Sequence, residues 1–320
     1  MTSEIATIRD VFIEEIYRRM HGDDRIFFLS ADFGSPRLDV LRETFRDRFI
    51  NVGIAEQNLI NVATGLALEG FTVYAYAIAP FLTMRAYEQI RVNLSLHAQL
   101  MDMNVNLIGV GAGLSYDVSG PTHHCLEDIS IMRTLPNIEV FSPSDWVLAR
   151  EFVDHSIRIK RPKYMRFDGK PAPRIYRDNS EISFDSGFTE LNRGEGVCLV
   201  STGFMTHRAL SVIRRLESEN IRIGLVDAYL LKPFGERAFY DCIRTYPCVI
   251  TLEEGFIGKA GLDSLVSGIL AKNNSAIRQI ALGFEDTYVF DIGNREYLHK
   301  LKKLDEDSII SQIRSIMMEV

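Results

Sequence analysis

Short apolar runs alternate with stretches of helical periodicity along most of the chain. The first helix is predicted from apolar residues three and four positions apart over 8–20, and the first strand from the apolar run 26–29. Strands and helices then alternate up to a strand at 163–167, and the alternation resumes over 197–272. Continuous apolar strands separated by helices are typical of parallel sheets covered on both faces. The predicted fold class is therefore α/β, with two consecutive domains whose sheets are mainly parallel.

A polar stretch separates the two alternating regions. Residues 169–190 are rich in Pro, Gly and Asp, which interrupt regular structure. A chain of 320 residues is long enough for two domains, each with its own core. We therefore predict a first domain over 1–178, a linker over 179–190 and a second domain over 191–320.

The charge balance and the cysteines limit the classes of partner and the location. The 43 acidic residues outnumber the 36 basic ones, which gives a formal charge of −7, so we expect neither nucleic acid nor an anionic membrane as a partner. No apolar run approaches the roughly 20 residues that cross a bilayer, and the N-terminal residues lack the apolar core of a signal peptide. The four cysteines form no CxxC pair and are expected to be reduced, as in a cytoplasmic protein.

The loops at the carboxyl ends of the predicted parallel strands are the expected ligand-binding region. Glu56 lies in one of them, in the first turn of a helix just past a strand. Such an acid can simply complement the helix dipole, a contribution of under about 1 kcal/mol, or it can be a buried acid presented to a ligand. Spacing alone favours the first interpretation.

The loop 110–124 ends in two adjacent histidines, His123 and His124. Its glycine spacing matches neither the GxGxxG motif nor a P-loop, and two histidines without a third ligand make a weak metal site. A histidine in such a loop can transfer a proton or bind an oxyanion. A purely structural role is equally compatible with the sequence.

Two further features have both a structural and a functional interpretation. Phe81, Met84 and Tyr87 lie three residues apart on one helical face, which is typical of core packing but can also form an apolar wall against a flat heterocycle. Arg166 ends an apolar strand, where a guanidinium can clamp a phosphate or carboxylate, or pair with a structural partner.

Several segments together resemble the transketolases and the 1-deoxyxylulose-5-phosphate synthases. Residues 48–58 (RFINVGIAEQN) resemble the pyrimidine-binding segment of those enzymes, and 81–89 (FLTMRAYEQ) the aromatic segment that follows it. Gly120-Pro121-Thr122-His123 is similar to the GPTH loop of the family. Further matching segments, spread in order over nearly the whole chain, are 135–137, 143–145, 231–233 and 251–254.

The resemblance implies a pyrimidine-binding domain followed by a transketolase C-terminal domain, both α/β, and thiamine diphosphate as cofactor. The domain of the family that binds the diphosphate carries a GDG motif, which this sequence lacks. The resemblance therefore implies the C-terminal half of a split transketolase, which works with a separate N-terminal subunit in an α2β2 assembly. That partner is expected to bind most of the Mg²⁺ or Ca²⁺, with no metal ligands on this chain.

The resemblance also implies roles for individual residues. Glu56 and His123 are implied to be catalytic. Glu56 hydrogen-bonds the aminopyrimidine of the cofactor while holding or sharing a proton, which burial promotes. The implied cofactor contacts are Glu56, Phe81, Met84, Tyr87 and Asp32. The implied substrate contacts are Arg166, His123, Ser119 and Ser35.

The implied reaction is transfer of a two-carbon ketol unit from a ketose to an aldose. Two departures from the family pattern bear on the sugar. Ser119 replaces the aspartate that precedes the GPTH loop, and Gly111 replaces a histidine nine residues before Gly120. We therefore expect a less common sugar, which is anionic if Arg166 is its clamp.

Two alternative functions stay open at this point. One is a deoxyxylulose-phosphate-synthase-like or 2-oxo-acid-decarboxylating subunit, because the run 53–57 is compatible with those relatives. The other is a non-catalytic scaffold subunit. The joint presence of Glu56, Phe81 and His123 argues against a scaffold.

Overall fold

The first domain alternates strands and helices along its length. The computed structural model describes residues 5–177 and 179–319, of which the side chains at 180 and 319 are not described. The predicted domain boundary at Asp178 therefore lies outside the described residues. The elements of this domain are β1 (Ile5–Ala6), α1 (Ile8–Gly22), β2 (Ile26–Ser30), α2 (Pro36–Thr44), β3 (Phe49–Asn51), α3 (Glu56–Leu68), β4 (Thr72–Ile78), α4 (Tyr87–Gln89), β5 (Val105–Val110), α5 (Asp128–Thr134), β6 (Glu139–Phe141), α6 (Trp146–Arg158), β7 (Lys163–Phe167) and β8 (Ala172–Pro173).

The second domain repeats the alternation and ends in two helices. Its elements are β9 (Phe188–Asn192), β10 (Val197–Ser201), α7 (Phe204–Glu217), β11 (Gly224–Ala228), β12 (Leu230–Lys232), α8 (Glu236–Ile243), β13 (Cys248–Phe256), α9 (Leu262–Lys272), β14 (Arg278–Phe284), α10 (Arg295–Leu301) and α11 (Glu306–Glu319). None of the described helices is both long and apolar enough to pass through a bilayer.

Two mainly parallel sheets form the centres of the domains. The first sheet has the order β12-β6-β7-β5-β4-β2-β3, with every pair parallel except the one between β12 and β6. The second has the order β14-β13-β10-β11-β9, with β9 as an antiparallel edge strand. Apolar side chains cover both faces of the sheets. The predicted fold class is confirmed.

Strand β12 belongs to the second domain by sequence but pairs in the first sheet. Leu230 lies opposite Phe141 of β6, in antiparallel register. Sequence periodicity did not predict this strand, because three residues that cross to a sheet formed far away along the chain carry no local signal. The first sheet is therefore completed by a strand from the second domain.

Other elements also differ from the sequence prediction. The loop at 30–36 ends in helix α2, because Ser35 Oγ accepts a hydrogen bond from Leu38 N (3.3 Å) and Pro36 takes the first helical position. The helix predicted over 82–100 is divided, with π-helical turns at Phe81–Arg85 and Ile90–Leu96 on either side of α4. Strand β9 begins inside the predicted linker.

The carboxyl ends of the parallel strands meet at one edge of the first sheet. Asp32 follows β2, Glu56 follows β3, Phe81 follows β4, and the loop 111–124 follows β5. Arg166 lies near the end of β7, beside β5. The topology therefore gathers the candidate residues from five separate stretches of sequence at a single edge.

A buried glutamate of the second domain fixes one of these loops. The backbone N–H of Leu114, in the loop after β5, donates to Glu254 Oε2 (3.1 Å). Glu254 Oε1 lies 2.6 Å from His299 Nε2 and 3.1 Å from Arg295 Nε. Burial raises the pKa of Glu254, but Arg295 and His299 outweigh burial and lower this pKa to about 2. The ionised carboxylate therefore joins a loop of the first domain to α10 of the second.

Replacing this carboxylate is expected to destabilise the protein in a pH-dependent way. Glu254→Gln should lower the free energy of unfolding at neutral pH by about 3–5 kcal/mol, because it removes one partner of a buried ion pair. The pKa in the folded protein lies below the ordinary value of 4.5. The contribution is therefore complete above that value and is lost as the pH falls toward 2. Urea unfolding of both proteins, at neutral pH and at roughly pH 3, measures the effect.

The exposed Glu285 at the end of β14 provides the matched control. Glu285→Gln should leave the free energy of unfolding within about 0.5 kcal/mol of the wild type. A difference between wild type and Glu254→Gln that stays constant on acidification would contradict the ionised state assigned to Glu254.

Candidate active site

Glu56 is a buried acid rather than an exposed residue of a first helical turn. It is the first residue of α3, directly after β3 and the turn at Gly53, whose φ is +75°. Its side chain is only 4% exposed, and its Oε2 accepts a hydrogen bond of 2.6 Å from Arg85 Nη1. Of the two interpretations open to the sequence, the structure supports the acid presented at the strand edge.

Arg85 connects Glu56 to the aromatic residue Phe81. The guanidinium carbon lies 4.8 Å from the centroid of the Phe81 ring, in a cation–π contact. The π-helical turn at 81–85 brings these two side chains together, because its wider turn changes which residues share a face. Sequence analysis assigned no role to Arg85, since ordinary helical spacing does not direct it toward Glu56.

His123 approaches the same ring from its edge. The two ring centroids are 5.3 Å apart, with the planes inclined at 72°. Thr122 Oγ1 lies 3.0 Å from His123 Nδ1 and orients the imidazole. The neighbouring His124 is buried instead, with its Nε2 3.1 Å from the backbone oxygen of Asp117. Only one of the adjacent histidines therefore faces the site.

These contacts define the Glu56 cluster, which consists of Glu56, Phe81, Arg85 and His123. It combines a buried carboxylate, an aromatic face and an imidazole around one planar cation. Such a surface can bind a flat group that offers N–H donors to the carboxylate and a ring face to Phe81. Three of the four residues were predicted from the sequence, and Arg85 was not.

The other residues implied as cofactor contacts lie around this cluster in different environments. Met84 is 41% exposed, and Tyr87 is half-buried with its hydroxyl donating to the backbone oxygen of Ile131 (2.9 Å). Asp32 has a positive φ of 53° and accepts a hydrogen bond from Asn51 Nδ2 (2.9 Å). Their contacts with a cofactor stay a prediction.

Arg166 has a buried counterion. Its Nε lies 2.8 and 3.1 Å from the two carboxylate oxygens of Asp128, and its Nη2 donates to the backbone oxygen of Glu254 (2.7 Å). Burial lowers the pKa of Arg166, but Asp128 outweighs burial and raises it. The charge of the predicted anion clamp is thus already compensated, and only Nη1 is not used in these bonds.

The two serines implied as substrate contacts differ in accessibility. Ser35 is buried and its hydroxyl caps α2. Ser119 is exposed at the end of a 3₁₀ turn over Asp117–Ser119. Their roles toward substrate stay predictions. In the parts of the chain that the structure describes, no cluster of three or more His, Cys, Asp or Glu side chains could hold a metal ion.

Gly111 occupies a position that leaves no room for a side chain. Its φ is +102°, and a Cβ atom there would lie 2.3 Å from Cε2 of the Tyr116 ring. The replacement of the family's histidine by Gly111 is therefore accompanied by a tyrosine ring packed over the same spot.

Gly111→Ala is expected to lower the thermal stability of the protein. Both the positive φ and the contact with Tyr116 oppose a methyl group, so the loss of unfolding free energy should be about 1–3 kcal/mol. Thermal denaturation followed by circular dichroism measures it. Gly65→Ala in α3, where a Cβ would meet open space, is the control and should stabilise by about 0.5–1 kcal/mol. Equal stability of wild type and Gly111→Ala would show that the loop adapts to a side chain.

Comparison with known proteins identifies two family models along the chain. The model described as "Transketolase, pyrimidine binding domain" matches residues 4–170. The model described as "Transketolase, C-terminal domain" matches residues 188–309.

Individual relatives match over nearly their whole length. One of the two subunits of the apulose-4-phosphate transketolase of Actinobacillus succinogenes is 32% identical over 296 residues, which are 92% of this chain and 93% of that protein. The 6-deoxy-6-sulfo-D-fructose transketolase subunit of a Clostridium species is 28% identical and covers 95% of this chain and 92% of its own. Among solved structures, a split-gene transketolase described as an inactive tetramer of four β chains superimposes with a TM-score of 0.86 at 30% identity and covers 98% of both chains.

Proposed function

The chain belongs to the transketolase family, and we propose that it is the C-terminal subunit of a split, thiamine-diphosphate-dependent transketolase that transfers a ketol unit from an anionic ketose to an aldose. The near-complete overlap with named split-transketolase subunits bears out the predicted C-terminal subunit and its transferase class. The observation that carries the proposal for the site is buried Glu56 facing a planar cation on the Phe81 ring.

The residues of the Glu56 cluster fit the aminopyrimidine of thiamine diphosphate. The guanidinium of Arg85 is itself a planar, nitrogen-rich group that donates N–H to Glu56 and lies on the Phe81 ring. It acts as a stand-in for the heterocycle, which needs the same carboxylate and the same aromatic face. The chemistry of the two partners therefore suits the cofactor that the family uses.

Each residue of the cluster has a definite task in this proposal. When bound, thiamine diphosphate supplies the electron sink for carbon–carbon bond cleavage. Glu56 holds a proton at the ring nitrogen of the aminopyrimidine, and Phe81 packs against the ring. His123, on the other side of Phe81, contacts the substrate oxygens and stabilises the charge that develops on them.

A separate N-terminal subunit is proposed to complete the site. It would bind the diphosphate and its Mg²⁺ or Ca²⁺, in an α2β2 assembly in the cytoplasm. The described residues of this chain offer no cluster that could hold a metal ion. The solved relative made of four β chains is described as inactive, which supports the need for a second kind of subunit.

The proposed substrate is a less common sugar that carries an anionic group. The relatives matched above are named for apulose 4-phosphate and for 6-deoxy-6-sulfo-D-fructose, both anionic sugar derivatives. Gly111 leaves no room for the histidine that the family has there. Arg166 is the proposed partner of the anion, through Nη1. A kinetic panel in which xylulose 5-phosphate and ribose 5-phosphate are the best pair would contradict this proposal.

Glu56→Gln is expected to abolish ketol transfer by the assembled complex. The amide cannot hold the proton that the carboxyl shares with the cofactor, so kcat should fall at least about 100-fold. Glu69→Gln, at the exposed end of the same helix, should retain full activity. Activity measured with and without trapping of CO₂ separates ketol transfer from decarboxylation. If Glu56→Gln left activity unchanged, Glu56 would have no catalytic role.

Thiamine diphosphate is expected to bind only when the partner subunit is present. Calorimetric titration of the cofactor with Mg²⁺ into this chain alone should give no heat of binding, because the contacts to the diphosphate and the metal lie on the other subunit. The same titration into the reconstituted complex should show one site per chain. Tight binding to this chain alone would contradict the proposed division of the site.

A further inference from the structure

We propose that Arg85 occupies the seat of the cofactor's aminopyrimidine in the unloaded chain and must leave Glu56 when the cofactor binds. This inference rests on the proposed function, because it concerns the order in which two groups use the same two partners. Arg85 then has a positioning role, since it acts through Glu56 and Phe81 rather than on the substrate.

The contacts of Arg85 are the two that the aminopyrimidine needs. Arg85 Nη1 donates to Glu56 Oε2 at 2.6 Å, and the guanidinium lies 4.8 Å from the centroid of the Phe81 ring. A pyrimidine stacked on Phe81 and hydrogen-bonded to Glu56 would overlap the guanidinium. The two groups therefore exclude each other from this position.

Arg85 is the member of the pair that can move away. Its side chain is 47% exposed, whereas that of Glu56 is 4% exposed and is fixed at the start of α3. An exposed arginine recovers hydration when it leaves an ion pair, and its long side chain has many rotamers available. A buried carboxylate left without a partner is costly, unless it is protonated or accepts a new donor.

The displacement of Arg85 is coupled to a proton. An arginine beside a carboxylate favours the ionised form, but Glu56 must hold or share a proton to work on the aminopyrimidine. Departure of the guanidinium therefore requires Glu56 to take up a proton. Elements near Glu56 carry other titratable or charged groups: Asp32 pairs with Asn51, His123 lies edge-on to Phe81, Tyr87 donates to Ile131, and Glu88 and Arg91 are exposed.

A permanent structural ion pair would behave differently. If Arg85 stayed on Glu56 in the loaded enzyme, its removal would weaken the site and loosen cofactor binding. If Arg85 is a placeholder, its removal should strengthen binding, because the cofactor no longer has to displace it. The direction of the change in affinity therefore distinguishes the two roles.

The test is calorimetric titration of thiamine diphosphate with Mg²⁺ into the complex of this chain and its partner subunit. Arg85→Gln should bind the cofactor about three- to tenfold more tightly than the wild type, a gain of up to about 1.4 kcal/mol at tenfold. Arg85→Lys, which keeps the charge but loses the planar group, should lie between them. Arg91→Gln, at an exposed arginine of the same helical segment, should bind like the wild type.

Proton uptake gives a readout that a merely structural role would not move. Titrations in buffers of different ionisation enthalpy at mildly alkaline pH should show about one proton taken up per site by the wild type. Arg85→Gln should take up clearly less, because its Glu56 has already gained a proton in the absence of a counterion. Arg85→Lys provides the same comparison if the glutamine variant does not fold.

The outcomes separate this inference from the function on which it rests. Cofactor binding to the wild-type complex, with unchanged or weaker binding and equal proton uptake by Arg85→Gln, would overturn the placeholder role and leave the transketolase proposal intact. Absence of cofactor binding to a confirmed wild-type complex would overturn both. Tighter binding together with reduced proton uptake would establish the displacement.

Discussion

The buried charges at the junction of the two domains hold the candidate site in shape. Arg166 of the first domain pairs with Asp128 and donates to the backbone of Glu254 in the second. Glu254 in turn holds the backbone of Leu114, and Asp117 accepts a hydrogen bond from the backbone N–H of Arg295 (2.7 Å). Both of these bonds end on the loop that carries His123. The position of that histidine beside Phe81 therefore depends on the second domain.

Such a network defines geometry more than it adds stability. A buried ion pair gains little net free energy over apolar packing, but breaking one partner leaves an uncompensated charge. Alternative domain orientations would leave at least one of these charges unpaired. Arg295 illustrates the constraint, since its guanidinium bonds Asp168 (2.6 Å) and lies 4.0 Å from the Phe204 ring centroid. Arg166 is part of the same network, which limits its freedom to bind an anion.

The sequence was sufficient to predict the alternation of strands and helices, because apolar runs and helical periodicity are local signals. It was not sufficient for β12 or for Arg85, whose positions depend on long-range pairing and on a π-helical turn. Glu56 and His123 came from family resemblance, since spacing alone favoured a helix-dipole role for Glu56 and left His123 undecided. Gly111 shows a third limit, because the tyrosine ring over it is visible only in the fold.

The placement of these interactions explains why some parts of such an enzyme can be separate chains and others cannot. The two domains of this chain share one sheet through β12 and a buried charge network, and separating them would expose unpaired strand edges and charges. The Glu56 cluster is different, since Arg85 and the neighbouring Met84 are 47% and 41% exposed. A partner can close that side without disturbing a core. On this argument the division between subunits follows the surface where the fewest buried contacts cross.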